Sequence, residues 1–359
     1  MKKGLVFGIH SVAGLLSGLF ILLMSLSGAA LVFHDELDSL QYPEIVHHTH
    51  DDYQTLPVGQ CYRSVQKKYP YAQINSCNIA EDSYTPFIFS VYDPSFQNGT
   101  QPMQVFVHPQ TAEIIGFRGG GKDASHNFMG WLSVFHNSFH LKKTGEWLLG
   151  FFAVIFVLSI TTGIILYRKN IFSVLLFRKK MFRTANLHQL IGVYALLFNL
   201  IIGVSGFWMQ RYVFKKSFYE TQQPYTPVIK PSPALFFNID SSLQAAKKRY
   251  PAFTAYVIYF VQSPKRKTAV YGSQSTNSFI HNKKFADVLF LDSIGGIAKT
   301  AFVNKIDASS RYDIINAQIH FGRYGGLPVK ILYSLFGLSG GLLSITGFLL
   351  WLKRRKRFL

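Results

Sequence analysis

The stretch GIHSVAGLL (residues 8–16) decides the architecture, because a second stretch of the same pattern, NLHQLIGVY (residues 186–194), follows it after a shift of 178 residues. Each stretch places one histidine, His10 or His188, in or at the edge of an apolar segment. In each, a glycine follows the histidine four residues later. Such a duplication indicates an internal repeat, which has to be identified before other features of the fold.

The repeat extends over the whole chain, with a shift that grows from 178 to 184 residues. The two copies also match in hydroxyl–glycine pairs, in a basic Tyr-Pro motif and in a second histidine. These matches are Ser27-Gly28 with Ser205-Gly206, Lys67–Pro70 with Lys248–Pro251, His136 with His320, and Thr162-Gly163 with Thr346-Gly347. The chain is therefore expected to contain one structural unit twice.

Four apolar segments are long enough to cross a bilayer, whose core needs about 20 apolar residues. We predict transmembrane helices over residues 1–34, 147–168, 187–210 and 330–352. The first segment is longer than the apolar region of a typical signal peptide and ends without a convincing cleavage site, so we expect a retained helix. The third predicted helix is a copy of the first, and the fourth is a copy of the second.

Basic residues predict the orientation, because cytoplasmic loops hold the excess of Lys and Arg. Lys2-Lys3 precede the first helix, residues 169–186 form a basic loop, and residues 353–359 form a basic tail. Both termini are therefore expected in the cytoplasm of a bacterium, with residues 35–146 and 211–329 in the periplasm. Much of the formal net charge of +19 lies in these flanks. Topology and attraction to anionic lipid explain it without a nucleic-acid partner.

Each external segment predicts a small α+β module. Helix-like runs, VGQCYRSVQKKYP and SSLQAAKKRYP, precede the apolar pairs VFVHPQTAEIIG and VLFLDSIGGIAK, which predict β-hairpins. The predicted fold class is a mainly α membrane protein, a four-helix transmembrane bundle made of two parallel repeats of helix, α+β module and helix. The two cysteines, Cys61 and Cys77, lie in the first module, where an oxidising compartment would allow a disulfide. Two unpaired thiols are the alternative.

The paired histidines are the candidate functional residues. An ionisable side chain inside a membrane costs free energy and usually marks function. His10 and His188 lie near the cytoplasmic ends of equivalent helices, whereas His136 and His320 precede the external ends of the other two. Two symmetric pairs, one at each membrane face, suit bis-histidine ligation of haem between helices. A structural role, with each ring hydrogen-bonded to a neighbouring helix, is the alternative.

The glycine that follows each inner histidine is expected to leave room for a flat macrocycle. Gly14 and Gly192 stand one helical turn from His10 and His188, on the same helix face. Close helix packing through Gly14 and Gly18 is the alternative and is compatible with the first role. Zinc suits the inner pair less well, because a structural zinc site uses four ligands and no cysteine or carboxylate accompanies these histidines.

Two other histidines are second choices for the external pair. His140 lies one turn after His136, and His34 ends the first helix in LVFHDEL. His34 aligns with Tyr212 and not with a histidine, so the repeat argues against it. The run HHTHDD at residues 47–52 is a weaker metal candidate. No nucleotide loop, nucleophile elbow or HExxH motif is present, so electrons would have to come from another carrier.

Three longer motifs resemble the PepSY-associated transmembrane family over essentially the full chain. They are VFHNSFHLKKTGEW, LHQLIGVYALLFNLIIGVSGF and IHFGRYGGLPVKILYSLFGLSGGLLSITGFLLW. Members of this family include ferric-siderophore reductases and iron-regulated inner-membrane proteins. The resemblance implies two b-type haems between four helices, with PepSY-like modules outside and with His10, His136, His188 and His320 as axial ligands. One departure is that the third helix ends in Ser-Gly-Phe where the family usually has Thr-Gly.

The expected function is that of a di-haem oxidoreductase of the inner membrane. It would pass electrons from a cytoplasmic donor or from quinol to a ferric siderophore or another ferric chelate in the periplasm. Two other classes stay open. One is a regulatory PepSY-type binding protein without redox activity, and the other is an importer for an iron chelate.

Overall fold

The chain folds as two compact units. The computed structural model describes residues 3–41, 55–81, 85–97, 101–119, 127–176, 184–220, 235, 237–260, 267–274 and 284–355. The first unit comprises Met1–His34, Leu132–Thr221 and Asn316–Leu359, and the second comprises Asp35–Trp131 and Gln222–Ile315. Each unit therefore draws on both halves of the repeat.

Apolar helices dominate the first unit, whereas short helices flank the strands of the second. The helices are α1 (Lys3–Leu31), α2 (His34–Gln41), α3 (Val58–Lys68), α4 (Phe128–Ser138), α5 (Lys142–Tyr167), α6 (Ile171–Leu175), α7 (Thr184–Tyr194), α8 (Leu196–Gln210), α9 (Lys216–Glu220), α10 (Ile239–Arg249), α11 (Ala308–Phe321) and α12 (Gly326–Arg355), with a 3₁₀ turn at Arg211–Phe214.

Three helices of the described chain, α1, α5 and α12, are long and apolar enough to cross a membrane. A fourth span exists only if α7 and α8 are counted together, because they are bent by 65° where they meet. The predicted transmembrane helix over residues 187–210 is therefore divided between two helices, and its crossing of the membrane stays a prediction. Ala195, with φ −91° and ψ 5°, separates the two helices.

Small residues let the long helices of the first unit approach one another closely. The helix α1 packs against both α12 and α5. A Cβ atom built on Gly18 would lie 4.0 Å from the Cβ of Ser344, and one built on Gly337 would lie 3.8 Å from the Cβ of Ala29. Gly18 therefore has the role in close helix packing that the sequence analysis gave as the alternative to clearance for a macrocycle.

The second unit contains an eight-stranded antiparallel sheet. Its order is β4-β3-β2-β1-β5-β6-β7-β8. The strands are β1 (Gln73–Asn78), β2 (Phe87–Tyr92), β3 (Met103–Val107), β4 (Ile114–Gly119), β5 (Thr254–Tyr259), β6 (Thr268–Ser273), β7 (Asp287–Leu291) and β8 (Ile297–Phe302). Both hairpins expected from the sequence are present, as β3–β4 and β7–β8.

The two copies of the module share this one sheet, because β1 of the first copy pairs with β5 of the second. Cys77 stands opposite Ile258 in that pairing. The sequence predicts two separate α+β modules, whereas in the structure they are continuous. The physical reason is that an exposed edge strand leaves N–H and C=O groups unpaired, and pairing the two edges satisfies them.

A charged group from one copy also caps a helix of the other copy. The backbone N–H of Gly59, in the first turn of α3, donates to both carboxylate oxygens of Asp240 at 3.0 and 3.2 Å. Asp240 itself lies in the first turn of α10, whose N-cap residue is Asn238. The two equivalent helices are therefore joined at their N-termini, where a negative charge is favourable.

Both cysteines are buried thiols in the core of the second unit, and no disulfide joins them in the structure. Burial, assisted by the nearby charge of Asp240, raises the pKa of the Cys61 thiol to about 12. Burial also raises the pKa of Cys77 well above its ordinary value, and Cys61 adds to that effect. The disulfide between them stays a prediction.

Thiol alkylation distinguishes the two oxidation states. If both cysteines are thiols, iodoacetamide is expected to label the folded full-length protein slowly at pH 8, because a raised pKa leaves little reactive thiolate there. The labelling rate should keep rising beyond pH 9, and unfolding should expose both thiols without any reductant. Mass spectrometry counts the labels. Labelling that requires dithiothreitol after unfolding would establish the disulfide instead.

Candidate functional site

The first unit contains a cavity that brings His10 and His188 together. His10 comes from α1 and His188 from α7, and the centroids of their rings are 6.3 Å apart at an interplanar angle of 74°. Side chains of α1, α5, α7 and α12 supply most of the lining. The volume of this first cavity is about 230 Å³. Typical small-molecule sites measure about 300–1,000 Å³, so this cavity is somewhat smaller than such a site.

A second cavity in the same unit contains the other pair, His136 from α4 and His320 from α11. Its volume is about 170 Å³, and its walls come mainly from α1, α5, α8 and α12. The two histidines are close enough to interact electrostatically. The structure thus groups the four histidines in the pairs that the repeat predicts.

Each of the four rings is held by its Nδ1 atom against a hydroxyl group of another helix. Nδ1 lies 3.2 Å from Thr162 Oγ1 in His10 and 2.9 Å from Thr346 Oγ1 in His188. In His136 the partner is Ser27 Oγ at 2.8 Å, and in His320 it is Ser205 Oγ at 2.9 Å. His10 Nδ1 also lies 3.0 Å from the carbonyl oxygen of Ser159.

The hydrogen-bond network assigns the proton of each ring to Nδ1. Every one of these hydroxyls donates its own hydrogen to a backbone carbonyl of the preceding turn, as Thr346 Oγ1 does to Leu342 O at 2.7 Å and Ser27 Oγ does to Leu23 O at 2.7 Å. The hydroxyl must then accept from Nδ1–H. Nε2 keeps its lone pair, and no hydrogen bond from a described residue reaches it in any of the four rings.

The glycine after each hydroxyl residue makes room for the histidine ring. A Cβ atom built on Gly28 would lie 3.1 Å from Cε1 of His136, and one built on Gly206 would lie 3.1 Å from Cε1 of His320. Gly163 and Gly347 stand next to His10 and His188 in the same way. The sequence shows these pairs only as marks of the repeat. The recurrence of a hydroxyl–glycine pair four times in the sequence is the signal that could have indicated a role in positioning the histidines.

His136 and His320 are neutral at physiological pH. They lie on α4 and α11, outside the candidate spans, and burial lowers the pKa of each imidazole to about 4. The nearby His136 contributes to the lowered pKa of His320. A neutral ring with its proton on Nδ1 is the form that binds a metal through Nε2.

The remaining candidates fall into three groups. Gly14 and Gly192 line the first cavity, where they leave space beside the histidine pair. The second choices, His34 and His140, line neither cavity. The run at residues 47–52 lies outside the described residues.

The two cavities fit haem better than they fit zinc. Within the described ranges, no group of three or more His, Cys, Asp or Glu side chains could hold a metal ion, whereas a structural zinc site uses four ligands. Two imidazoles bonded at about 2 Å to one ion between them would have centroids about 6 Å apart, close to the observed 6.3 Å. Arg354 lines the first cavity, where its guanidinium can pair with a carboxylate group of a bound cofactor. The side-chain amide of Gln210 lines the second cavity.

The chain belongs to the family described as the PepSY-associated TM region, whose model matches residues 7–354. It is a membrane protein with several apolar helices and a large antiparallel sheet. No curated protein matches the chain.

The hydroxyl–imidazole bonds can be tested with two adjacent threonines. Thr162→Ala removes the hydroxyl beside His10 and is expected to weaken haem binding about tenfold, the lower end of the ~10–100-fold range for such partners, because the Ser159 carbonyl still accepts from Nδ1. Thr161→Ala is the matched control, since Thr161 is exposed and bonds only Val157 O. Haem titration of the full chain, followed at the Soret band, measures both. Equal affinities would contradict the assigned role.

Proposed function

We propose that the protein is a di-haem electron-transfer protein, with one b-type haem in each cavity. The observation that carries this proposal is the same arrangement found four times: a half-buried imidazole with Nδ1 fixed by a hydroxyl and Nε2 left without a described partner. Two such rings in one largely apolar cavity match the needs of bis-histidine ligation. We assign His10 and His188 to one haem, and His136 and His320 to the other.

Haem supplies reversible one-electron exchange at its iron, and the chain supplies the environment. The four imidazoles would hold the haem irons through Nε2, and their Nδ1–H bonds would fix the tautomer and the ring plane. Gly14 and Gly192 leave clearance beside the inner pair. The largely apolar walls would lower the dielectric constant around a bound haem, which is one of the protein's means of setting a reduction potential.

The layout supports electron transfer from one side of a membrane to the other. By the distribution of basic residues, the first cavity lies towards the cytoplasm and the second towards the periplasm of an inner membrane. A cytoplasmic donor or quinol would supply the electrons, and a ferric siderophore or related chelate would accept one electron per Fe³⁺ reduced to Fe²⁺. Reduction would loosen the metal, because hard oxygen ligands bind Fe³⁺ more tightly than the softer Fe²⁺.

The cavity linings give less support to an importer or a purely regulatory protein. Among the described residues that line the two cavities, Arg354 is the only Asp, Glu, Lys or Arg side chain. A path for a polar chelate would be expected to carry more polar groups. A regulatory protein would not need four rings with a lone pair turned to empty space.

Absorbance spectra test haem binding. The purified protein is expected to show a Soret band, with split α and β bands after dithionite is added. His188→Ala should lose about half of the haem, because one of two bis-histidine sites loses a ligand. His140→Ala should keep all of it, since that ring lines neither cavity. A colourless wild-type protein would contradict the proposal, and haem loss in the His140 variant would reassign the second pair.

The reductase activity needs a separate experiment. The full-length protein, reduced under anaerobic conditions, is mixed with ferric hydroxamate and ferric catecholate chelates, and reoxidation of the haem is followed in a stopped-flow spectrometer. At least one chelate class is expected to restore the oxidised spectrum, with Fe²⁺ trapped by ferrozine in the same stoichiometry. Unchanged spectra with every chelate would remove the reductase assignment and leave haem binding intact.

A further inference from the structure

One buried amide side chain lies between the two cavities. Asn199 is 5% exposed, stands four residues after the break at Ala195 and lines both cavities. Ile21 and Phe156 are the other residues that line both. The shift of 178 residues places Asn199 on Ile21, so the two halves of the repeat present an amide and an aliphatic side chain at equivalent positions.

The hydrogen bonds around Asn199 fix the orientation of its amide. Nδ2 donates to Ser339 Oγ at 3.0 Å. Ser339 Oγ donates its own hydrogen to the carbonyl of Phe336, so it has to accept from Asn199. The amide nitrogen is thereby assigned to the side of Ser339, and Oδ1 points away from it. A Cβ atom built on Gly340, which lines the first cavity, would lie 3.6 Å from that oxygen.

Helix packing alone does not explain an asparagine at this place. The bond to Ser339 ties α8 to α12, but a serine or threonine could make a similar bond. The carbonyl oxygen, by contrast, receives no hydrogen bond from any described residue. Ile21 fills the equivalent position with an aliphatic side chain.

We propose that the Asn199 side-chain oxygen lowers the reduction potential of the cofactors bound in the two cavities. This inference rests on the proposed haem function. The oxygen is the negative end of the amide dipole, and a negative end near iron favours the ferric state, which carries one more positive charge. Such an effect is stronger in a site of low dielectric constant than in water. A lower potential makes the protein a stronger reductant towards iron held by a tight chelator.

The test is a redox titration of the full-length protein in detergent, followed at the α band. Asn199→Leu keeps the approximate size of the side chain and removes the dipole, so the midpoint potentials are expected to rise while haem content and band positions stay unchanged. Ser339→Ala keeps the amide but removes the bond that orients it. Its midpoints are expected to stay closer to the wild type than those of the leucine variant.

Unmoved midpoints in Asn199→Leu would overturn the inference. If Asn199→Leu does not accumulate, Ile21→Asn decides the matter by placing an amide at the equivalent position of the other half. Its midpoints should fall below those of the wild type, and a rise or no change would overturn the inference. A wild-type protein without a Soret band would defeat the proposed function, whereas haem bands with unmoved midpoints would defeat only the role of Asn199.

Discussion

The hydrogen bond from an imidazole Nδ1–H to a serine or threonine hydroxyl is the contact on which the candidate site depends. It fixes the ring plane, places the proton and leaves Nε2 with a lone pair. The hydroxyl can accept because its own hydrogen is already donated within its helix, as from Thr162 to Leu158 O at 2.8 Å. The glycine that follows brings the ring against the helix backbone. A hydroxyl–glycine dipeptide on another helix thus fixes the plane of the histidine ring, fixes the position of its proton and leaves space for the ring beside the backbone.

The repeat explains why this arrangement occurs four times. A single unit of two helices supplies two histidines and two hydroxyl–glycine pairs, but His10 is held by Thr162 of its own half, and His136 is held by Ser27 of its own half. Each half therefore positions its own rings. The second half is needed to bring His188 opposite His10, so a pair exists only when both copies are present. One half of the repeat positions two separate imidazoles, and the duplication brings a second imidazole into the same cavity as each of them.

Much of this organisation could be predicted from the sequence, because it depends on periodic features such as long apolar segments and recurring motifs. The pairing of the histidines followed from the shift between copies. The break at Ala195 and the β1–β5 pairing could not be read in this way, since both depend on contacts between segments far apart in the chain. Asn199 was missed for a similar reason. Its importance comes from its position between two cavities, and an alignment of the halves shows only that it replaces Ile21.

The places where the two halves differ bear on the reduction potentials of the two proposed haems. The donor and the acceptor set the net direction, but two identical sites would have equal potentials, so differences between the halves near the cavities are what would give the two proposed haems different potentials. Such differences lie there: Arg354 lines the first cavity, Gln210 stands in the second where its counterpart in the other half is Val32, and Asn199 faces both. A cation beside one site favours its reduced state, and an amide dipole acts according to its orientation. The repeat thus supplies two similar sites, and a few polar substitutions at their walls make them unequal.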